Sequence, residues 1–366
     1  MQKNKRIKSI LIIRITAIGD IIMASPVPTA IKENHSNTHI TWVVHPKYSQ
    51  LLDSHPDVDE VIAFDIDEWQ RLLKNWNFTA LYRRIKAVRT QLRKRKFERA
   101  IDLQGNFTTG FIAWLSGAIH KIALGAESGN AWFMTKTISK NLGDRTQIGS
   151  EYRYLVNQLG CSDSNWRMHV PITMKSMEGA REKTINAIGE GHYAVIAPFT
   201  QHPQKSWFND YWEQIILRLR GRYQLRTLIV GGENGISEGN KIGRASGATN
   251  FAGQTSLAET ASIIANASIL IGVDTGLTHM GHALKVPTIS LFGATHPYDY
   301  VDSETSQVIY LDRFCSPCRR NPTCNKKYQC MREITPDIVL TAIKPLLNKT
   351  DTSTATPIQI IPREAS

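Results

Sequence analysis

At 366 residues, 42% hydrophobic and 21% charged, the chain has the composition of a globular protein with about two domains, each long enough to bury its own core. Its apolar runs stop well short of the ~20 residues that a bilayer span needs, and the basic stretch Met1–Lys8 leads only into Ile10–Ile13 before Arg14 intervenes, which excludes a signal-peptide core and sets cytoplasmic residence as the expectation. The excess of 44 Lys and Arg over 32 Asp and Glu leaves +12, which favours an anionic partner: nucleic acid, an acidic membrane surface or a phosphorylated substrate.

Ile10–Ile13 is a continuous apolar run of strand length, followed by the loop Ile15–Asp20 and a helical pattern to about Asn34. Further strands are predicted at Thr41–Val44, Val61–Phe64, Ala100–Leu103 and Ile119–Ile122. Before the Ala100 strand, Leu81, Ile85, Val88 and Leu92 recur at helical spacing, while Arg83, Lys86, Arg89, Arg93 and Lys94 lie off that stripe. This pattern is an amphipathic helix with a basic outer face.

Met174–Gly191 has no strand-like run and reads as a helical connection, residues 176–191, between domains at 1–175 and 192–349. The alternation then restarts with strands at Ala194–Ala197, Leu228–Val230, Ser268–Ile271 and Thr288–Leu291, separated by helices such as Tyr211–Arg220 and Leu257–Ala267. A last helix at Thr335–Leu347 has Pro336 in its first turn, where a missing N–H costs nothing. The polar stretch 350–366 is expected to be a disordered tail. Two successive βαβ arrays predict an α/β protein of two doubly wound domains.

The polar chemistry falls at the carboxyl ends of these strands, where open parallel sheets bind ligands. Gly272-Val273-Asp274-Thr275-Gly276-Leu277-Thr278-His279 turns from a buried strand into a helix, whose N-terminal N–H groups suit an anion; the same turn is also what ordinary capping by Asp274 or Thr275 would require. Thr200 and Lys205 lie in the loop after the first strand of that domain, and a lysine there is placed to neutralise phosphate. Gly231 and Gly232 close the next strand, with Glu233 and Glu238 as alternative acids for a ribose diol. The G-x-G-x-x-G fingerprint is absent, which weakens a dehydrogenase reading. In the first half, Asp20 follows Gly19 at a helix start, positioned either as a general base or simply as a charge that complements the helix dipole.

Four of five cysteines are bunched as Cys315-x2-Cys318-x5-Cys324-x5-Cys330, with Cys161 apart. The odd count predicts reduced thiols, and the spacing lacks the second close pair of a zinc ribbon. His279 and His282 lack a third partner at metal-binding spacing, and one is expected to face a ligand while the other packs.

Taken together, these segments resemble the bacterial heptosyltransferases over residues 8–347, most strongly at Gly272–His279 continuing through Ala283-Leu284 and Pro287 to Leu291-Phe292-Gly293-Ala294-Thr295-His296-Pro297. The resemblance implies a GT-B fold, two Rossmann-like domains facing across a cleft, with the acceptor on the first and an ADP-heptose donor on the second. It also implies inversion at the anomeric carbon with no metal or other cofactor. On this resemblance Asp20 matches the general base, Lys205 and Thr200 the diphosphate contacts, and Asp274, Thr275, Gly276 and His279 the loop for donor sugar and phosphates. Asp102-Leu103-Gln104-Gly105 is similar to the loop of enzymes that add the first heptose to Kdo, which points to a Kdo-lipid A acceptor and to Gln104 as a substrate contact. The basic helix fits peripheral contact with the acidic inner face of the inner membrane. The alternatives are action on a later core heptose or another GT-B transferase with a different nucleotide sugar. A nucleic-acid partner lacks both a recognition module and interleaved basic and aromatic residues.

Overall fold

The apolar runs form parallel strands in the computed structural model, which describes residues 7–125, 129–140, 147–298, 306–319 and 321–347 and the backbone of Gln359–Ile361. The chain divides into two compact units, with the main boundary between Pro171 and Ile172 and residues 147–148 counted in the second.

In the first unit, strands β1 (Ser9–Ile13), β2 (His39–Val44), β3 (Glu60–Ala63), β4 (Arg99–Asp102), β5 (His120–Leu124) and β6 (Lys136–Ile138) form one parallel sheet in the order β3-β2-β1-β4-β5-β6. The central strand β1 pairs Ile10 with Ile40 on one side and Ile13 with Asp102 on the other, and Ile10–Ile13 are buried because helices cover both faces. The helices are α1 (Ile18–Ala24), α2 (Pro26–Asn34), α3 (Ile66–Lys74), α4 (Phe78–Arg93), α5 (Phe107–Ser116) and α6 (Ser150–Gln158). The single helix expected up to Asn34 is two. Pro26 has no N–H to continue the ladder, and Ser25 becomes a junction whose hydroxyl donates to the Ile22 carbonyl and accepts from His169 N–H. In α4 the predicted stripe faces inward, with Leu81 and Leu92 buried and Ile85 and Val88 packed on the same core, and the basic residues are outside.

The second unit opens with α7 (Met174–Ile188), the segment expected to be a connection. It belongs to the second unit's own packing: Ser262 Oγ donates to Ser176 Oγ at 3.0 Å, and Lys183 pairs with Glu259 at 2.8 Å. Its sheet contains β7 (Tyr193–Ala197), β8 (Arg226–Ile229), β9 (Thr249–Asn250), β10 (Ile269–Val273), β11 (Thr288–Phe292), β12 (Ser306–Leu311) and β13 (Gln359–Ile361), in the order β13-β12-β11-β10-β7-β8-β9. The surrounding helices are α8 (Asn209–Tyr223), α9 (Ile236–Ser246), α10 (Leu257–Ala265), α11 (Gly276–Ala283), α12 (Gln329–Arg332) and α13 (Pro336–Leu347). Of the tail expected to be disordered, only β13 is described, as a parallel edge strand on β12; the rest of 350–366 lies outside the described residues.

Leaving β13 aside, the two sheets share one topology. Each starts at a central strand, winds outward on one side and then crosses to the other, so each has a switch point: between β1 and β4 in the first unit, between β7 and β10 in the second. Among the described residues no helix is long and apolar enough to cross a membrane.

Candidate active site

At the second switch point the loops after β7 and β10 meet. Gly272 pairs with Ala197 near the ends of these strands, and a Cβ on Gly272 would lie 2.2 Å from Thr278 Oγ1. Only a glycine lets Thr278 fold back over the strand end and donate to the Val273 carbonyl at 2.6 Å. That closure fixes the start of α11, where Thr275 is the N-cap by backbone conformation and no side chain caps the helix. The first N–H groups of α11 are thereby left for another acceptor.

Asp274 stands just ahead of this N-terminus, and Lys205 Nζ meets its Oδ2 at 2.5 Å. Thr295, from the segment after β11, donates to the same oxygen, and His279 Nε2 lies 3.6 Å from Oδ1. Asp274 is only 12% exposed at its side chain, and burial by itself would favour the neutral acid. The His279 ring and the Lys205 ammonium outweigh that penalty and hold the carboxyl well below the ordinary carboxylate range. Lys205 is carried on a turn of helix at Pro203–Lys205, fixed by the buried Gln204, whose amide donates to the Arg319 carbonyl at 2.9 Å. Arg319 N–H in turn donates to the Ala294 carbonyl at 2.6 Å, so the cysteine-bearing segment braces both the Lys205 turn and the loop that leads to Thr295.

Thr200 is part-buried in the same loop and accepts from His202 N–H at 3.3 Å. Gly231 has a packing reason to be glycine, since a Cβ there would lie 2.4 Å from the Phe199 ring, whereas Gly232 has open space around it. The two candidate acids separate clearly. Glu233 is exposed at the strand end, while Glu238 is held on α9 by Asn209 Nδ2 and by Lys241 Nζ at 3.0 Å. Of the two histidines, His282 packs: its ring bridges Ser290 Oγ at 2.8 Å and Ser306 Oγ at 3.1 Å.

Burial, and then the His279 charge, push His282 down to about 3. Above pH 6.5 it is neutral in folded and unfolded chains alike; below that, the unfolded chain takes up a proton that the folded one refuses. The contribution of His282 to stability is therefore lost as pH drops from 6.5 towards 3. Thermal unfolding of His282→Gln is expected to show a shallower acid slope than the parent down to about pH 4.5.

At the first switch point the loops after β1 and β4 meet in the same way. Asp102, at the end of β4, is fully buried; its carboxylate accepts from Gln104 N–H, Gly105 N–H, Thr109 Oγ1 and Asn130 Nδ2, all between 2.8 and 3.0 Å. Burial raises its pKa, and these donors counter that. The turn they fix puts Gln104 Oε1 within 3.1 Å of Ile15 N and 3.3 Å of Thr16 N, so the Gln104 side chain holds the loop that carries Asp20. Asp20 accepts from Ala17 N–H at 3.3 Å and pairs with Arg14, which is buried and also donates to the Leu103 carbonyl at 2.9 Å. Arg14 and Thr295 were not singled out in the sequence as site residues. Arg14 has a signal, a charge placed directly after the apolar run Ile10–Ile13; Thr295 lies within the heptosyltransferase-like motif without a role.

All five cysteines are free. Among the described residues, the one group of three or more potential ligand side chains within 4.8 Å of one another is His45, Asp65 and Asp67; the four clustered cysteines do not meet at that distance, although Cys315, Cys318 and Cys324 are near enough to Cys330 to help push its thiol up to about 11, after burial. His45 Nδ1 already accepts Lys47 N–H at 3.2 Å, which leaves the proton on Nε2, the atom that faces the two aspartates.

A model of the family described as glycosyltransferase family 9 (heptosyltransferase) matches residues 85–329. Lipopolysaccharide heptosyltransferase 1 of Pseudomonas aeruginosa is 27% identical over 320 residues, 86% of this chain and 87% of that protein. The solved structure of the glycosyl transferase family 9 from Veillonella parvula DSM 2008 is similar at a TM-score of 0.76 and 21% identity, covering 93% of this chain and 97% of that one. E. coli heptosyltransferase WaaC with ADP-2-deoxy-2-fluoro heptose gives 0.68 and 21%, covering 92% and 99%. Two Rossmann-like domains, each with polar loops gathered at its switch point, are the GT-B fold of these solved structures, and the family match makes this protein a glycosyltransferase. The chain belongs to glycosyltransferase family 9, the heptosyltransferases.

Proposed function

We propose that this enzyme transfers heptose from ADP-heptose to Kdo-lipid A, with inversion, in the synthesis of the lipopolysaccharide core. The observation that carries the donor half is the buried Lys205–Asp274 pair beside the uncapped start of α11. A diphosphate brings negative charge, and here a lysine and a helix N-terminus offer donors where that charge grows as the leaving group departs. Asp274 and Thr275 position this end of the site, with Gly276 leaving the helix start open and His279 and Thr295 orienting the Asp274 carboxylate. Thr200 adds a hydroxyl beside Lys205. Gly231 and Gly232 admit the nucleotide to the strand edge, and Glu233, which is exposed where Glu238 is engaged, takes the ribose.

On the first domain Asp20 is the general base. As the acceptor oxygen attacks the anomeric carbon, its proton passes to the Asp20 carboxylate, the bond from that carbon to the diphosphate breaks, and ADP leaves with the electron pair. Arg14 and Gln104 hold Asp20 and its loop. Lys205 supplies the cationic charge that other transferases take from a divalent ion, so no metal enters the scheme. The enzyme works at the inner face of the inner membrane, where its acceptor is anchored.

The test is transfer by purified protein to Kdo-lipid A in the presence of chelator, with product detected by mass spectrometry. Transfer at an unchanged rate is expected, with ADP competing better than UDP or GDP. Preference for an already heptosylated acceptor would move the enzyme to a later core step, and stronger competition by UDP or GDP would replace the donor.

A further inference from the structure

The outer side of the first domain shows a second feature that the transfer chemistry leaves unused. Trp76 is 78% exposed, Tyr82 65%, Phe78 54% and Leu73 52%, all at the junction of α3 and α4. The junction is built rather than frayed: Trp76 takes a left-handed backbone with φ 53°, Asn77 Oδ1 accepts Ala80 N–H at 3.1 Å, and the Trp76 and Phe78 rings meet edge to face at 5.7 Å. Four large apolar side chains held in water at one turn have a cost that a monomer in solution does not recover.

From that turn, Phe78, Tyr82, Lys86 and Arg89 follow at spacings of four, four and three, so aromatic and basic residues share one stripe of α4. Arg83 and Lys94 extend the exposed positive side, and α4 contains no acidic residue. The neighbouring Arg84 and Arg95 are paired with Glu68 and Glu60 and so add less to this field. Topology fixes the direction: β3 ends at the carboxyl edge of the sheet, and α4 returns to the opposite edge where β4 begins. The aromatic end of α4 therefore lies at the carboxyl edge, the one that carries Asp20 and Gln104.

We infer that this side of the first domain docks on an anionic phospholipid surface, with Trp76, Phe78 and Tyr82 entering the headgroup region and Arg83, Lys86 and Arg89 lying on the lipid phosphates. Indole and phenol rings settle at that depth, and lysine and arginine are drawn to acidic headgroups. The inference deepens the reading above, since a lipid-anchored acceptor has to be met at the bilayer surface.

The experiment is co-sedimentation of the full chain with vesicles of equal parts phosphatidylglycerol and phosphatidylethanolamine, against vesicles of phosphatidylcholine alone. Binding to the first, weak binding to the second, and release by salt are expected. The triple variants Trp76→Ser/Phe78→Ser/Tyr82→Ser and Arg83→Gln/Lys86→Gln/Arg89→Gln should each partition at least about ten-fold less, with unchanged thermal unfolding and ADP affinity. Acyl chains brominated near the headgroup should quench the parent more than Trp76→Phe. Equal partitioning of either triple variant, equal binding to both vesicles, or a dimer that the aromatic variant converts to monomer would overturn the proposal. A protein that binds vesicles but transfers no heptose would leave the surface standing and sink the functional reading. One that glycosylates a detergent-dispersed acceptor but ignores vesicles would do the reverse.

Discussion

Asp20→Asn is expected to lower the turnover of heptose transfer by roughly 10²- to 10⁴-fold, the range that a positioned general base supplies, while ADP affinity stays at the parent value. The amide keeps the shape and one acceptor oxygen for Ala17 N–H but cannot take a proton at neutral pH. The ADP-binding loops are expected on the other domain, built on a separate sheet, so calorimetric titration with ADP should not register the change. The variant also removes the counter-charge of Arg14, a buried guanidinium that keeps its bond to the Leu103 carbonyl. Arg14→Lys provides the control. It retains the charge with fewer donors, so it should reduce turnover less than Asp20→Asn and leave the protein folded. Asp20→Asn retaining a tenth or more of parent turnover, with parent-like unfolding, rules out Asp20 as the base.

The sites were legible in the sequence to the extent that a parallel sheet makes position follow from order. Ile10–Ile13 and Ile269–Ile271 are apolar on both faces, which only central strands tolerate, and the residues after such strands lie at the carboxyl edge whatever else the chain does. That rule places Asp20, Lys205 and Asp274 at the carboxyl edges of their sheets. It could not say what each would touch, because the partners come from far along the chain: Thr295 reaches Asp274 over 21 residues, and Gln104 reaches Ile15 over 89. The expectation for Gln104 was a substrate contact; its carbonyl oxygen is engaged with loop backbone. Glu233 and Glu238 were indistinguishable by type and spacing, and Asn209, at the start of a different helix, is what separates them. The short strands β6 and β9 carry no signal in the sequence for a related reason. Lys136–Ile138 and Thr249–Asn250 have too few residues to show a period and become strands only through a neighbour's ladder. The helix α7 is legible, but what it packs against is not: its polar surface reads as a solvated connection until Ser176 and Lys183 find Ser262 and Glu259 on α10.

The other large effect is expected at Lys205. Lys205→Ala should weaken ADP binding by at least about ten-fold and lower turnover further, because in the proposed reaction the lysine serves the bound diphosphate and, more strongly, the leaving one. It should also destabilise the fold, since it leaves the Asp274 carboxylate at 12% exposure with, among the described residues, Thr295 and His279 as its remaining side-chain partners. Removing one partner of a buried pair costs more than removing both. The double variant Lys205→Ala/Asp274→Asn should therefore unfold at a higher temperature than Lys205→Ala alone, yet bind ADP no better. The acid limb gives an independent check. In the parent, Asp274 has its carboxyl depressed, so it contributes stability above the unfolded carboxylate value of about 3.9 that is lost as pH falls below it. Without Lys205, His279 opposes burial with less help, the carboxyl rises, and part of that acid loss disappears. If the double variant recovers ADP affinity along with stability, Lys205 acts on Asp274 alone and the diphosphate must be held by the start of α11 without it. If stability recovers and affinity does not, the lysine has two separate partners, the aspartate when the site is empty and the phosphates when it is full.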